Sequence, residues 1–166
     1  MILLFDMKIK LKTKHGNRYA IIDCEDYDKV NRLRWYWLKY NNKPEGYAFT
    51  NQLGKTMVRM HRFIMNAKKG QIVDHINGDS LDNRKCNLRF CTARQNQANM
   101  RVNKENHSSK YRGVYWNKKK WIVCISTNSK NKHYGCFDSE KTATKKADEI
   151  RKILFGKFAY LNLERR

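Results

Sequence analysis

The residues with the clearest capacity for chemistry lie in the middle of the chain: the adjacent pair Asp74 and His75, followed by Asn87 and Asn96. A carboxylate and an amide oxygen are hard ligands that suit Mg²⁺ or Mn²⁺ rather than zinc. A cation bound there would neutralise the charge that develops on a phosphodiester during hydrolysis. An imidazole beside it could take a proton from water near neutral pH. These residue types indicate metal-assisted phosphodiester hydrolysis; the alternative is a polar turn with satisfied side chains.

The elements predicted around these residues would bring them together. A short apolar stretch ends at the Asp-His pair and predicts a strand, and Gly78 permits a sharp reversal into a polar loop. Residues 87–91 can form a second strand. Residues 92–95 (TARQ) fit a capping box and predict a helix with Asn96 in its first turn. In this strand–loop–strand–helix order the four side chains are able to converge, and the side chain of Asn87 could hydrogen-bond to the imidazole and fix its orientation.

Basic charge dominates the chain and indicates a polyanionic partner. Among its 166 residues, 36 Lys and Arg oppose 15 Asp and Glu, for a net charge of +21. Residues 83–137 hold thirteen basic side chains and one acid, Glu105, with tyrosines and tryptophans between them. Such interleaving is typical of nucleic-acid surfaces. Charge alone leaves DNA, RNA and an anionic membrane open, but the apolar runs, such as residues 2–5 and 121–125, are far shorter than the ~20 residues of a spanning helix.

The pattern along the chain predicts an α+β fold built from small parts. Residues 1–68 read as a small β-rich unit in which no residue set suggests chemistry. The polar stretch 102–109 predicts a linker. We therefore expect an N-terminal part over residues 1–101, with its catalytic core at about 56–101, and a separate domain over residues 110–166. The five cysteines are irregularly spaced, which is untypical of disulfides, and no signal peptide is recognisable, so a cytoplasmic protein is expected.

The C-terminal part has a pattern of its own. Three short strands are predicted at residues 113–116, 121–126 and 132–137. Ser139 is then suited to cap a helix. That helix carries an apolar stripe at Ala143, Ala147, Ile150 and Leu154. One sheet face packed on this helix would make a minimal two-layer core, with odd-numbered residues of the second strand turned to the helix and even-numbered residues turned away.

The segment 73–89 (VDHINGDSLDNRKCNLR) resembles the HNH nuclease motif in its ββα-metal form, found in phage- and intron-encoded homing endonucleases. The resemblance implies that Asp74 and Asn96 bind a divalent cation, Mg²⁺ or Mn²⁺. It further implies that His75 is the general base and that Asn87 orients it. The last motif position is Asn here where His also occurs in the family, and an amide is the weaker ligand. His61 lies in an upstream stretch that recurs in these proteins, and its role is left open between approaching DNA and packing.

Residues 110–163 resemble the AP2/ERF DNA-binding domain, through YRGV at 111–114, KW at 120–121, GCF at 135–137 and the AYLN that follows the helix. In that family a three-stranded antiparallel sheet lies in the major groove with the helix packed behind it. The resemblance and the basic composition give a set of expected DNA contacts. They are Arg112, Tyr115, Trp116, Lys118, Lys120, Ser126 and His133, together with Arg89 and Arg94 near the catalytic segment.

The two resemblances together predict a metal-dependent, site-preferring DNA endonuclease of the homing type. Its partner is double-stranded DNA, with no membrane and no small-molecule substrate. Since one hairpin supplies one active site, we expect a monomer rather than a dimer, and nicking of one strand. The alternatives are a non-catalytic AP2-type DNA-binding regulator that retains a nuclease-like fold, and a protein that binds or cleaves RNA.

Overall fold

The computed structural model describes residues 6–14, 16–39, 46–54, 56–100, 108–127 and 130–164. The chain divides into two compact units, Met1–Thr92 and Ala93–Arg166. Small antiparallel sheets and helices occur in both, which is compatible with the predicted α+β class. Most of the predicted linker, at 102–107, lies outside the described residues, and the predicted domain boundaries stay a prediction.

The first unit begins with two small sheets. Strands β1 (Asp6–Leu11) and β2 (Arg18–Asp23) form an antiparallel pair. Strands β3 (Tyr36–Lys39), β4 (Gly46–Thr50) and β5 (Val58–Arg59) form a sheet in that order. Apolar and charged residues alternate along β1, so one face of the hairpin enters the core and the other meets solvent.

Two short helices and a third pair of strands complete this unit. They are α1 (Tyr27–Asn31), α2 (Met60–Ile64), β6 (Ile72–His75) and β7 (Leu88–Cys91), of which β6 and β7 are antiparallel. The core contains the fully buried side chains of Ile22, Val30, Trp35, Met60 and Ile64. The indole of Trp35 donates a hydrogen bond to the Val30 carbonyl at 2.9 Å, so this large ring is buried without an unpaired donor.

The second unit contains α3 (Ala93–Asn99), the strands β8 (Val114–Asn117), β9 (Lys120–Thr127) and β10 (Lys130–Phe137), and the helix α4 (Glu140–Phe155). The three strands form an antiparallel sheet with β9 in the middle.

The predicted apolar stripe of α4 packs on one face of this sheet. Ala143 and Ala147 are fully buried against Val123 and Ile125 of β9, as the alternation predicted. Ser139 occupies the N-cap position, but its side chain makes no capping hydrogen bond, so that detail of the prediction is wrong. No helix among the described residues is long and apolar enough to cross a membrane.

Candidate functional site

Asp74 and Arg89 form a buried ion pair across β6 and β7. The pairing of the two strands sets Arg89 opposite Asp74. Its Nε and Nη2 atoms donate to Asp74 Oδ2 at 3.0 and 2.8 Å. Since the Arg89 side chain is only 13% exposed, its guanidinium is committed to this carboxylate. The guanidinium thus holds Asp74 in place, and the contact of Arg89 with DNA stays a prediction.

His75 ends β6 and is 6% exposed. Its Nε2 lies 3.4 Å from Oδ1 of Asn83, whose own amide nitrogen donates to the Leu81 carbonyl at 3.0 Å. That second bond orients the Asn83 amide so that its oxygen faces the imidazole. An amide oxygen only accepts, so the proton of the neutral ring belongs on Nε2, and Nδ1 is the nitrogen that can take another.

Burial is also the main influence on the ionisation of His75. Desolvation lowers its pKa below the ordinary value, and the hydrogen bond to Asn83 and the nearby carboxylates of Asp74, Asp79 and Asp82 oppose that effect without cancelling it. The imidazole is therefore neutral at physiological pH. A neutral imidazole is the form that can accept a proton from water.

Asn87 holds the loop between β6 and β7 rather than the His75 ring. Its Oδ1 accepts from the Asn77 backbone N–H at 2.9 Å, and its Nδ2 donates to Asn77 Oδ1 at 3.0 Å and to the Asp82 carbonyl at 2.8 Å. The sequence predicted a direct bond from Asn87 to the imidazole, whereas the residue placed against the ring is Asn83. Asn83 is the functional residue that sequence reasoning missed. The density of Asn and Asp in this loop was the available signal, because such side chains commonly bond to nearby backbone.

The N-terminal hairpin supports this loop from outside. The Ile21 N–H donates to the Leu81 carbonyl at 2.8 Å, and the Asn83 N–H donates to the Ile21 carbonyl at 2.7 Å, so the loop extends the edge of β2. The Ser80 hydroxyl donates to the Gly46 carbonyl of β4 at 2.6 Å. Residues 1–68, in which the sequence suggested no chemistry, therefore position the Asn83 side chain that contacts His75.

Carboxylates of the first unit also fix the basic residues that follow the loop. Arg84 donates to both carboxylate oxygens of Asp82, at 2.8 and 2.7 Å, and pairs with Asp6 at 2.8 Å. Next to it, Lys85 meets a group of acids formed by Asp23, Glu25 and Asp26. This acidic group has the composition of a metal site, but the Lys85 ammonium lies 3.1 Å from the buried Asp26 carboxylate, so a lysine supplies the positive charge.

Asn96 and Arg94 lie on α3, which belongs to the second unit. Asn96 is half-buried and Arg94 is exposed. The assignment of Asn96 as a metal ligand stays a prediction. Arg94 has the exposure that its predicted contact with DNA requires.

Arg112 and Arg151 converge on the carboxyl end of α3. Arg112 Nη1 donates to the Ala98 carbonyl at 3.1 Å and also to that of Met100, while Arg151 Nη2 donates to Ala98 at 2.5 Å. Arg151 is 2% exposed, and burial followed by the charge of Arg112 lowers its pKa to about 10, so it remains charged at neutral pH. Cations suit the end of a helix where carbonyls lack partners. The guanidinium of Arg112 is thus used inside the unit, and its contact with DNA stays a prediction.

The face of the C-terminal sheet away from α4 carries three of the predicted DNA contacts, Tyr115, Ser126 and His133. Register sets Tyr115 opposite Ile122 and His133 opposite Cys124. Tyr115 is 41% exposed, and the side chains of His133 and Ser126 are also exposed on this face. We call it the outer sheet face. A partly aromatic, polar and exposed strand surface of this kind can enter the major groove.

Trp116 and the lysines of the β8–β9 turn occupy other positions. Trp116 pairs with Trp121, and their ring centroids are 5.1 Å apart, so Trp116 lies on the helix side of the sheet although 44% of it is exposed. Trp116 and Tyr115 therefore lie on opposite faces of the sheet, and the contact of Trp116 with DNA stays a prediction. Lys118 adopts a left-handed conformation with φ of 54° in the turn, and Lys120 pairs with Asp138. Both lysines are exposed, as phosphate contacts would need to be.

Comparison with known proteins identifies the class of the catalytic segment. Residues 58–98 match the HNH endonuclease family, and this range includes all four residues predicted to form the active site. The chain carries an HNH endonuclease domain, and the prediction of a DNA nuclease is confirmed. The chain is 28% identical to an uncharacterised HNH endonuclease of Acanthamoeba polyphaga mimivirus over 151 residues. The aligned region covers 87% of this chain and 74% of that protein. No solved structure matches significantly.

Proposed function

We propose that the protein is a metal-dependent, site-preferring DNA endonuclease of the homing type, with His75 as its general base. The observation that carries the proposal is the buried, neutral imidazole of His75 beside the buried carboxylate of Asp74. A base and a cation-binding oxygen are the two groups that phosphodiester hydrolysis by water requires.

The donor types fit a hard divalent cation. Asp74 offers a carboxylate that is 7% exposed, and Asn96 offers an amide oxygen, which together suit Mg²⁺ or Mn²⁺. These two residues would hold the cation, which when bound stabilises the negative charge of the phosphate and of the leaving oxygen. The guanidinium of Arg89 on Oδ2 orients the Asp74 carboxylate for that purpose.

His75 then acts on water through Nδ1. With Nε2 directed at Asn83, the ring presents Nδ1 to a water molecule and takes its proton as the water oxygen attacks phosphorus. The bond from phosphorus to the 3′ oxygen breaks, and that oxygen takes a proton from solvent. The products are a 3′-hydroxyl and a 5′-phosphate. One such site in a monomer cleaves one strand.

The outer sheet face supplies the preference for a DNA site. Tyr115, Ser126 and His133 would meet base edges in the major groove, as in the AP2/ERF family that this unit resembles. Lys118 and Lys120 at the strand turn contact phosphates and fix position without reading sequence.

Cleavage of supercoiled plasmid and viral genomic DNA tests the proposal. Wild type with Mg²⁺ or Mn²⁺ is expected to give nicked circles, EDTA is expected to abolish them, and His75→Ala is expected to lower the nicking rate by about 10²–10⁴-fold. Ile153→Ala, at a position 79% exposed on α4, serves as the control that retains activity. Retained DNA binding in a gel shift without any metal-dependent nicking would leave the regulator as the function. Cleavage confined to RNA would favour the third alternative.

A further inference from the structure

A second histidine is buried beside the proposed base. His61 lies on α2 and is 4% exposed. Its ring centroid is 4.8 Å from that of His75, and the two ring planes are inclined at 75°. This is an edge-to-face arrangement, one of the favoured geometries of aromatic pairs.

Tyr47 of β4 completes a group of three rings. Its centroid is 5.7 Å from that of His61 and 6.3 Å from that of His75. The guanidinium of Arg59 covers the Tyr47 ring at 4.9 Å. His75 is therefore bounded by Asn83 on its Nε2 and by aromatic rings on its flank, and a turn of its ring about the side-chain bonds would have to displace one of them.

The burial of His61 argues against the direct approach to DNA that its sequence position left open. A side chain 4% exposed offers almost no surface to a duplex. Burial, then the charges of His75, Arg59 and Arg62, lower its pKa to about 2, so the ring is neutral and cannot bind phosphate as a cation. Among the described residues, the ring of His61 packs against the rings of Tyr47 and His75. Packing against His75 therefore connects His61 to the site.

We propose that His61 is a positioning residue for the reaction: its ring, with Tyr47, holds the His75 imidazole in the single orientation in which Nε2 meets Asn83. The inference rests on the proposed role of His75 as the base. It adds that helix α2, outside the strand–loop–strand segment, carries a residue on which the rate depends. A misplaced base lowers the rate of proton abstraction without altering the binding of DNA.

A double-mutant cycle tests this coupling. His61→Ala is expected to lower the nicking rate about tenfold or more while DNA affinity, measured by gel shift without metal, stays unchanged. His61→Phe, which keeps a ring, is expected to stay within about threefold of wild type. In a His75→Ala background, His61→Ala should cause no further loss, because its effect passes through His75. An unchanged rate in His61→Ala, an equal loss in His61→Phe, or a full additional loss in the double variant would each overturn the proposal.

A spectroscopic measurement separates this inference from the proposed function. In the protein without DNA or metal, ring ¹H–¹⁵N correlations of His75 should show one tautomer, protonated on Nε2, and in His61→Ala they should show mixed tautomers or exchange broadening. Ile64→Ala removes a buried side chain from the same helix and controls for lost stability; it should leave the His75 signals unchanged. Identical His75 signals in wild type and His61→Ala would overturn the positioning role even if the enzyme nicks DNA. If wild type fails to nick DNA but the signals change as expected, the fault lies in the proposed function.

Discussion

Replacing Asn87 by Ala should destabilise the first unit by about 2–4 kcal/mol. The Asn87 side chain is 6% exposed and makes three hydrogen bonds, two with Asn77 and one with the Asp82 carbonyl. Each is worth about 0.5–1.5 kcal/mol net, and the loss moves to the upper part of the range when a buried partner is left unsatisfied. With alanine at this position, the Asn77 N–H, the Asn77 Oδ1 and the Asp82 carbonyl would each lose a hydrogen-bond partner.

Urea denaturation followed by fluorescence gives the free energy of unfolding directly. Asn131→Ala is the matched control, since it removes the same side chain from an exposed position on β10 and should change the free energy by less than about 0.5 kcal/mol. Under conditions where both variants are folded, Asn87→Ala should also nick DNA more slowly, because the loop that carries Asn83 loses its anchor. DNA affinity without metal should not change.

The two readouts together decide whether the loop is held as described. A destabilisation no larger than that of Asn131→Ala would refute the assignment of three net-favourable bonds. A large destabilisation with an unchanged nicking rate would show that the loop geometry does not reach His75 and that the link through Asn83 is wrong.

Three further predictions concern single contacts. Burial alone would raise the pKa of Asp82, but hydrogen bonds and charge from Arg84 hold it below its ordinary value, so the stability it supplies is present above pH ~4 and is lost as pH falls through the folded value. Wild type should therefore lose more stability between pH 6 and pH 3 than Asp82→Asn, measured by urea denaturation. Gly46→Ala should lower the melting temperature strongly, because a Cβ would lie 2.3 Å from the Trp37 ring. Arg151→Leu should lower the denaturant midpoint of the second unit, since it removes the side-chain donor to the Tyr160 carbonyl and one of the donors to the Ala98 carbonyl at the end of α3; an unchanged midpoint would show that water replaces the guanidinium.

Local patterns predicted the elements that carry the active site. Alternation and the Asp-His boundary indicated β6, and the capping box at 92–95 indicated a helix that in fact begins at Ala93. The same holds for the C-terminal sheet, where the period-two pattern of β9 assigned Val123 and Ile125 to the helix face. These predictions are correct because each element depends on residues that are close together along the chain.

Long-range contacts account for what the sequence could not reveal. Asn83 contacts His75 because β2 takes the loop onto its edge through Ile21, and nothing near Asn83 in sequence indicates that strand. The pairing of two arginines inside the fold has the same cause. Arg89 and Arg112 were counted as surface charge, but strand register places one opposite Asp74, and the other reaches the end of α3.

Some of the basic residues that contribute to the net charge of +21 form ion pairs within the protein. In the first unit, Arg84 forms ion pairs with Asp6 and Asp82, and Lys85 forms an ion pair with Asp26. These basic residues next to the proposed active site therefore fix the loop. Lys and Arg thus serve both to hold the loop and to attract DNA. Because paired charges attract DNA weakly, binding should depend more on exposed basic residues such as Arg94 and Lys118 than on the basic residues nearest the proposed base.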